Sequence, residues 1–275
     1  MSDLRGRIGA ATFGLLTVTT EEAAAITSVF GLHHNLQGSS YFVTGASASS
    51  KFEIVHSRIP HQTNIVSVQS AGALIEDFRP EFLLLIGTAG GHSGRDKLDV
   101  GDVVVADYMD YAGYWKYSDG AILERKLPHD HPSAHLLLNY VEPLRAKPDP
   151  WIDRISVPRP VAGRPKLMVG GMVSANILLG DPENEEQKRI LGHFDKAYAF
   201  EMEGHGVASA VYRARTSVHY NPQFLIIRGI SDLVDKGVDE NQATRQLWTP
   251  YAVDAAAAFA LILIEAFFRV GKVAV

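Results

Sequence analysis

The sequence predicts an α/β fold, in which buried strands alternate with helices. Residues 82–86 and 224–227 are continuous apolar runs of strand length, a pattern typical of strands buried in a parallel sheet. Residues 65–78 carry apolar side chains at helical spacing and stop before Pro80, where a helix is expected to end. The chain has 275 residues, 46% of them hydrophobic and 21% charged, so it is long enough for one large α/β domain or two small ones.

The composition excludes several classes of function. A formal net charge of −5 provides no basic surface for nucleic acid, and the absence of cysteine excludes disulfides and favours the cytosol. Residues 1–7 lack the apolar core of a signal peptide. Residues 251–268 are apolar but include Asp254 and Glu265, so we interpret them as a buried or amphipathic helix rather than a membrane span. We therefore expect a soluble, cytoplasmic protein with no nucleic-acid or membrane partner.

The first part of the chain predicts a strand, a helix and a hairpin. Residues 12–19 are rich in β-branched residues and predict a strand, and residues 23–30 predict the helix that follows. Glu22 stands in the first turn, where the helix dipole favours acids, so helix capping is one interpretation of this residue. Residues 41–44 and 52–56 predict two strands of a hairpin around a small, polar turn.

A Gly-rich segment and an aromatic segment follow the first buried strand. Residues 87–91 predict a turn whose backbone amides can approach an anion or a sugar, but they lack the lysine of a phosphate-cradling Walker loop. Residues 98–106 predict a turn and a strong strand. The aromatic residues 107–117 predict an edge strand or interface, or else a wall that packs on a planar ligand or a partner subunit.

The second half of the chain predicts helices and strands in alternation. In chain order these are a helix over 133–144, a strand over 167–173, a polar helix over 183–193 and a strand over 197–200. Residues 201–204 begin the next helix, which runs to Arg213. A polar loop over 235–246 and a closing helix over 248–268 complete the prediction. His129, His131 and His135 are neighbouring histidines without a carboxylate or thiol partner set, so we expect no metal site there.

Two acids stand where ligands are expected to bind. Ser231 and Asp232 end the apolar run that begins at residue 224, and the carboxyl ends of strands form the ligand sites of open α/β sheets. Asp232 is therefore a candidate general acid, although a Ser-Asp pair is also favoured at the start of a helix. Glu203 stands at a strand-to-helix turn, where its carboxylate can accept hydrogen bonds from ligand hydroxyls or cap the helix.

Five segments resemble the nucleoside phosphorylase and nucleosidase superfamily. They are Thr20-Glu21-Glu22, Gly87-Thr88-Ala89-Gly90-Gly91, Val100-Gly101-Asp102-Val103-Val104, Glu201-Met202-Glu203-Gly204 and Arg228-Gly229-Ile230-Ser231-Asp232. Each motif is short, but chance matches would rarely keep both the order and the spacing of all five. The resemblance covers about residues 12–268 and is closest to the hydrolytic branch typified by methylthioadenosine/S-adenosylhomocysteine nucleosidase. It implies a single domain, residues 1–275, built as a three-layer α/β/α sandwich around a central mixed, partly barrel-like sheet.

The resemblance also implies hydrolysis of the N-glycosidic bond of a purine ribonucleoside, with adenine favoured as the base. Asp232 matches the acid that protonates N7 of the leaving purine, and burial favours the protonated form that this role needs. Glu203 matches the residue that binds the ribose 2′- and 3′-hydroxyls and stabilises an oxocarbenium-like sugar. Glu22 matches the general base that deprotonates the attacking water.

The remaining positions implied by the resemblance bind the substrate, and no cofactor is implied. Those expected at the ribose and the nucleophile are Met202, Thr88, Ala89 and Gly90, and those expected at the base are Leu178 and Leu179. Ser231 is expected to support Asp232. The family often has an aromatic residue at one of the two stacking positions, where this chain has leucines. We therefore expect weaker base stacking, or stacking supplied from elsewhere.

The nucleophile and the 5′ substituent stay open in the sequence. Phosphorolysis needs an anion site, whereas residues 17–22 contain no arginine and include an acid, so hydrolysis is favoured over a phosphate-dependent reaction. A 5′-thioether would need an apolar pocket, to which residues 177–179 and Met109 can contribute. AMP or ATP, the substrates expected of related bacterial defence effector domains, would need cations. The candidates are Arg58, Arg95, Lys116 and Arg228.

Two further expectations concern catalysis and assembly. A non-catalytic nucleoside-binding module is an alternative, although the presence of Glu22, Glu203 and Asp232 together favours an enzyme. The resemblance implies an oligomer, and the aromatic residues 108–117 are placed to complete the site of a neighbouring subunit. We therefore expect at least a homodimer that binds a small purine nucleoside or nucleotide.

Overall fold

The computed structural model describes residues 12–37, 40–45, 54–125 and 131–271. The strands in these residues are β1 Phe13–Thr17, β2 His33–Gln37, β3 Ser40–Gly45, β4 Ile54–Arg58, β5 Phe82–Gly91, β6 Val103–Tyr111, β7 Trp115–Ser118, β8 Ala121–Glu124, β9 Leu167–Ser174, β10 Ala197–Glu201 and β11 Gln223–Leu233. The helices are α1 Thr20–Phe30, α2 Asn64–Phe78, α3 Ala134–Leu136, α4 Glu142–Ala146, α5 Asp149–Ile152, α6 Glu185–His193, α7 Gly204–Ala214 and α8 Val238–Gly271, with a π-helical turn at Leu137–Val141 between α3 and α4.

The central sheet is mixed and partly closed into a barrel. Nine strands follow the order β10-β9-β6-β11-β5-β1-β4-β3-β2, and β10 also pairs with β5. This extra pairing joins β5, β11, β6, β9 and β10 into a ring, while β1, β4, β3 and β2 extend from it as an open sheet. Because β11 runs parallel to β5 but antiparallel to β6, the ring combines both strand directions.

Helices cover the sheet on both sides. Helix α8 packs on β5 and β11 and against α1, while α2 packs against α7 and contacts β1 and β4. The apolar runs at residues 82–86 and 224–227 lie in β5 and β11 and are almost fully buried, as their composition predicts. The predicted three-layer α/β/α sandwich around a mixed, partly barrel-like sheet is therefore confirmed.

Helix α8 is the longest element and belongs to the core. Its segment Val238–Arg269 is long and apolar enough to cross a membrane by length and composition alone, but 83% of the most apolar window is buried inside the protein. The prediction of a buried closing helix is thus confirmed. The predicted polar loop over 235–246 is wrong, because the helix already begins at residue 238. Asp239 and Glu240 stabilise its first turn, and Asn241 accepts a hydrogen bond from the backbone N–H of Leu233 at 3.2 Å.

The Gly-rich segment is a strand and not the predicted turn. Residues 87–91 continue β5, where they pair with the second half of β11 on one side and, at Gly90 and Gly91, with β10 on the other. The strand β11 likewise continues to Leu233, whereas the sequence suggests that the strand opens onto a loop at Ser231 and Asp232. Ring closure explains both differences, because the backbone groups of these residues find partners only in strands that are distant in sequence.

Most other elements lie where the sequence predicts them. The hairpin is formed by β3 and β4, which pair antiparallel, although its turn and Phe52 lie outside the described residues. The strand β2 was not predicted. Ser133 caps the helical segment that begins at Ala134, through a hydrogen bond from the N–H of Leu136 at 3.2 Å. His131 and His135 are exposed, and His129 lies outside the described residues.

Candidate active site

A cavity of about 240 Å³ opens where the ends of β1, β5, β9, β10 and β11 meet. Ten residues that the sequence predicts for the site line it: Glu22, Thr88, Ala89, Gly90, Leu178, Leu179, Met202, Glu203, Ser231 and Asp232. The other lining residues are Val18, Gln62, Ala175, Ile177, Phe200, Glu201, Val234 and Arg245. Arg228, the remaining predicted residue, lies behind this wall, 1% exposed.

A β-bulge brings Ser231 and Asp232 to the same cavity. In a regular strand two successive side chains point to opposite faces. In β11 the pairing with β5 shifts between Ile230 and Asp232, which leaves Ser231 as the extra residue. Both side chains then line the cavity, and the Ser231 hydroxyl donates to Oδ1 of Asp232 at 2.7 Å. Ser231 thus contacts Asp232 directly, and its supporting role in a reaction stays a prediction.

Arg245 occupies the other oxygen of the Asp232 carboxylate. Its Nη2 donates to Oδ2 at 2.6 Å, and this hydrogen bond raises the pKa of Arg245. Asp232 is 2% exposed, whereas the Arg245 side chain is 32% exposed and faces the cavity. Asp232 therefore stands in an ion pair at one end of the cavity.

Glu22 combines the capping geometry with a place in the cavity wall. Its Oε2 accepts from the backbone N–H groups of Val18 at 2.8 Å and Thr19 at 3.0 Å, which forms a capping box at the start of α1. Its Oε1 accepts from the backbone N–H of Thr88 at 2.9 Å. These three donors tie the carboxylate to the segment that follows β1 and to β5. Glu22 therefore caps α1 and lines the cavity at the same time.

A second buried group of charged side chains consists of Glu201, Glu203 and Arg228. Nη2 of Arg228 donates to Oε2 of Glu201 at 2.5 Å and to Oε2 of Glu203 at 3.0 Å. Burial lowers the pKa of Arg228, but the charges of Glu201, Glu203 and Glu22 outweigh it and hold that pKa above its ordinary value. Glu201 also accepts from the backbone N–H groups of Glu203 and Gly204, so it caps α7 while it holds the arginine.

One carboxylate oxygen of Glu203 is available to a ligand. Its Oε1 is buried and, within the described part of the chain, has no hydrogen-bond partner. Burial raises the pKa of Glu203 to about 8, against the lowering effect of Arg228 and with further raising by Glu201 and Glu22. A buried acceptor without a partner is costly, so a donor from a bound molecule would stabilise it.

Gly87 allows the two charged groups to approach each other. A Cβ atom there would overlap Oε1 of Glu22 and lie 2.5 Å from Nη1 of Arg228. The absence of a side chain at this position of β5 thus places the carboxylate of Glu22 beside the charge cluster of Glu203. In the sequence, the Gly-rich segment was the signal for this close approach of Glu22 and Arg228, although the backbone of that segment is extended and does not form a turn.

The rest of the wall is largely apolar. Leu179 is buried at 6% exposed, whereas Leu178 is 63% and Ile177 45% exposed at the mouth of the cavity. Among the described residues, Arg245 is the one cation in the cavity wall. The other cations proposed for a 5′-phosphate lie elsewhere: Arg58 and Lys116 are outside the wall, Arg95 lies 3.8 Å from Asp195, and Arg228 is buried between two carboxylates.

Sequence reasoning missed three polar residues of this region. Glu201 stands in a motif that the sequence singled out, but its role as the second partner of Arg228 was not predicted. Arg245 falls in the segment interpreted as a polar loop, and Gln62 lies before α2, so neither carried a signal. Their places depend on how distant elements pack.

Known proteins resemble this chain in sequence and in fold. Residues 12–265 match the sequence model of the Phosphorylase superfamily. The 5′-methylthioadenosine/S-adenosylhomocysteine nucleosidase of Staphylococcus aureus is 26% identical over 170 residues, and that of Bacillus licheniformis is 25% identical over 174 residues. These matches cover 60% and 62% of this chain and 63% and 64% of the relatives, so the chain spans slightly less than two thirds of their length.

Solved structures share the fold at low identity. Futalosine hydrolase of Helicobacter pylori has a TM-score of 0.72 at 18% identity, covering 93% of this chain and 97% of that one. The 5′-methylthioadenosine/S-adenosylhomocysteine nucleosidase of Helicobacter pylori, solved in complex with a substituted pyrrolidin-3-ol, has a TM-score of 0.72 at 19% identity, covering 94% of this chain and 99% of that one. Since the superfamily model matches most of the chain and the fold agrees, this protein belongs to the phosphorylase superfamily.

Proposed function

We propose that this protein hydrolyses the N-glycosidic bond of a purine ribonucleoside and releases the free base. The observation that carries the proposal is the buried, unpartnered Oε1 of Glu203, in a cavity that also holds Glu22 and Asp232. A polyhydroxylated sugar would supply the missing donor. The three acids then surround the two atoms between which the bond breaks.

The proposed reaction assigns one step to each acid. In its protonated form Asp232 donates its proton to N7 of the purine, so that the electron pair of the C1′–N9 bond leaves on a neutral base. Glu203 accepts from a ribose hydroxyl through Oε1, and in its ionised form it stabilises the cationic sugar. Glu22 takes the proton of a water molecule whose oxygen bonds to C1′. Its three backbone donors fix the orientation of the carboxylate for this transfer.

Hydrolysis suits this cavity better than phosphorolysis. A bound phosphate needs cationic or N–H donors that are free to contact it. In the described residues, Arg228 and Arg245 are the arginines next to the acids, and each already pairs with a carboxylate. Glu22 would repel phosphate on the side where the nucleophile must approach.

The cavity supports an apolar 5′ substituent better than a phosphate chain. Ile177 and Leu178 expose apolar surface at its mouth. We therefore propose methylthioadenosine or S-adenosylhomocysteine, the compounds for which the curated relatives are named, as the first substrates to test. Adenine nucleotides remain the second candidate, with exposed Arg58 as the cation on the strand next to β1.

We also propose that the protein forms a homodimer in the cytoplasm. Exposed Ile177 and Leu178 border the cavity, and Tyr114 and Tyr117, which are 42% and 78% exposed, project from the segment around β7. Apolar and aromatic side chains of this kind favour a subunit interface. Light scattering tests this: a fully active monomer would contradict the proposal.

The main test is chromatography of the base released from a substrate panel, each compound with and without phosphate. The panel contains methylthioadenosine, S-adenosylhomocysteine, adenosine, inosine, AMP and ATP. We expect base release from the thioether compounds that does not depend on phosphate. Release only from AMP or ATP would favour the nucleotide candidate, and phosphate dependence would contradict hydrolysis. Tight binding without release from any compound would favour a non-catalytic binding module.

Two variants test the assigned acids. Asp232→Asn and Glu22→Gln should each lower kcat by at least about 100-fold, because each removes a proton-transfer group. Both should retain substrate binding in calorimetry. Exposed acids give matched controls, since Asp153→Asn and Glu81→Gln change charge outside the cavity and should leave turnover unchanged. Near-normal turnover in an active-site variant would remove that residue from its proposed role.

A further inference from the structure

The helix that follows Glu203 is not capped by the side chain of Glu203. The first N–H groups of a helix need acceptors from outside the helix, and the N-cap side chain ordinarily accepts from the second or third helical residue. Glu203 is the N-cap residue of α7, yet in the described structure its side chain makes no capping hydrogen bond. Glu201 accepts from the N–H groups of Glu203 and Gly204 instead. The acceptor for the third helical residue, Gly206, must come from another element.

Asn64, the first residue of α2, supplies this acceptor. Its Oδ1 accepts from the backbone N–H of Gly206 at 2.9 Å and from the hydroxyl of Ser174 at 2.9 Å. Its Nδ2 donates to Oδ1 of Asn176 at 3.1 Å, which fixes the orientation of the amide. Asn64 is 5% exposed, so these contacts are shielded from water. A residue that lies 142 positions earlier in the chain than Gly206 therefore caps α7.

Gly206 allows α2 to approach α7 closely enough for this contact. A Cβ atom at Gly206 would lie 2.3 Å from the backbone oxygen of Asn64 and 2.8 Å from Cβ of Ser67. Both distances are too short for atoms that are not bonded, so a side chain at this position would push α2 away from the start of α7. The close packing of the two helices and the cap from Asn64 therefore depend on the same glycine.

We propose that Asn64 is a positioning residue that caps α7 in place of Glu203 and thereby leaves Oε1 of Glu203 to a ribose hydroxyl of the substrate. The inference rests on the proposed function and adds the residue that keeps the sugar-binding acid available. Without Asn64 the N–H of Gly206 loses its acceptor. Glu203 stands at the position from which a side chain ordinarily accepts from that N–H, and an oxygen bound there is no longer open to the ribose.

The variant Asn64→Ala tests the inference, with Thr63→Ala as the matched control. The control removes a helix cap at the neighbouring position, the hydrogen bond from the N–H of Val66 at 3.3 Å, but leaves α7 capped. We expect Asn64→Ala to lower kcat/KM for methylthioadenosine by about 10- to 100-fold, the range for a lost hydrogen bond to a charged group, and Thr63→Ala to leave it unchanged. In a Glu203→Ala background, Asn64→Ala should cause no further loss, because its effect passes through the missing carboxylate.

A second measurement does not need turnover. Burial raises the pKa of Glu203 to about 8, and a hydrogen bond from the N–H of Gly206 would favour the ionised carboxylate. The pKa of Glu203 should therefore fall in Asn64→Ala and stay at the wild-type value in Thr63→Ala. NMR titration of protein labelled at the glutamate carboxyl carbons measures both values, and the spectrum of Glu203→Ala assigns the signal.

The outcomes separate this inference from the proposed function. Equal activity losses in Asn64→Ala and Thr63→Ala, or a further loss in the Glu203→Ala background, would overturn the inference and leave the nucleosidase proposal intact. If the wild-type protein releases no base from any compound of the panel, the proposed function fails, and the NMR titration decides whether Asn64 positions Glu203. A lower pKa of Glu203 in Asn64→Ala alone supports that role, and an unchanged pKa overturns it.

Discussion

Replacing Arg228 with methionine tests whether the buried charge cluster behind the cavity depends on a single cation. The guanidinium lies 2.5 Å from Glu201 and 3.0 Å from Glu203, and the three side chains are between 1% and 6% exposed. Methionine fills similar space without charge. Removal of one partner of a buried ion pair typically costs about 3–5 kcal/mol, because the remaining charge is left without compensation. We expect a loss of that size in the free energy of unfolding at alkaline pH.

The loss should depend on pH in a defined direction. Because the pKa of Glu203 is raised to about 8, this residue is neutral in the folded protein at pH 6 and ionised at pH 9. Arg228 lowers the pKa of Glu203, so in the variant that pKa is higher still, and keeping Glu203 ionised without the guanidinium costs more at pH 9 than keeping it neutral at pH 6. Arg228→Met should therefore destabilise the protein by at least about 1 kcal/mol more at pH 9 than at pH 6.

Urea unfolding with linear extrapolation at the two pH values measures this effect. The double variant Arg228→Met/Glu201→Gln removes one orphaned charge and should recover at least half of the loss, since residues in contact couple. Arg154→Met serves as the control and should change stability by less than about 0.5 kcal/mol. A loss below about 1 kcal/mol, or an equal loss at both pH values, would refute the reasoning.

Further predictions concern packing and pH. Gly229→Ala places a Cβ 2.5 Å from the carbonyl carbon of Ala252 and should lower the free energy of unfolding by about 3 kcal/mol or more. Gly72→Ala places a Cβ with nothing within 4 Å and should raise the free energy of unfolding by about 0.5–1 kcal/mol. Urea midpoints measure both, and equal midpoints would contradict the packing argument. Because the folded pKa of Glu203 is about 8, above its ordinary 4.5, its contribution to stability is complete below about pH 4.5 and is lost as pH rises through 8. Glu203→Gln should flatten the decline of the urea midpoint from pH 5 to 8, and identical slopes would show that another group titrates.

The sequence predicted the positions of the acids well because their signals are local. A buried strand is recognisable from its own apolar run, and Asp232 follows such a run directly. Glu22 and Glu203 stand at the start of helices whose periodicity is visible over one or two turns. All three line the same cavity, although their chemical roles stay predictions.

The sequence could not reveal the connections between these segments. The extension of the Gly-rich segment as a strand requires β11 and β10 on its two sides, and both lie more than 100 residues further along the chain. The bulge that places the side chains of Ser231 and Asp232 in the same cavity arises from the pairing of β11 with β5. Such features depend on which distant backbone groups satisfy one another when the ring closes, and no short pattern records that choice.

By itself, the sequence therefore determined the α/β class, the order of the elements and which acids stand at their ends. Only the tertiary structure decided which charges meet: Arg228 with Glu201 and Glu203, and Arg245 with Asp232. The physical reason is that local hydrophobic spacing fixes each element from its own residues. Ion pairs between elements depend on strand pairing and on the packing of α8, which involve residues far apart in the chain.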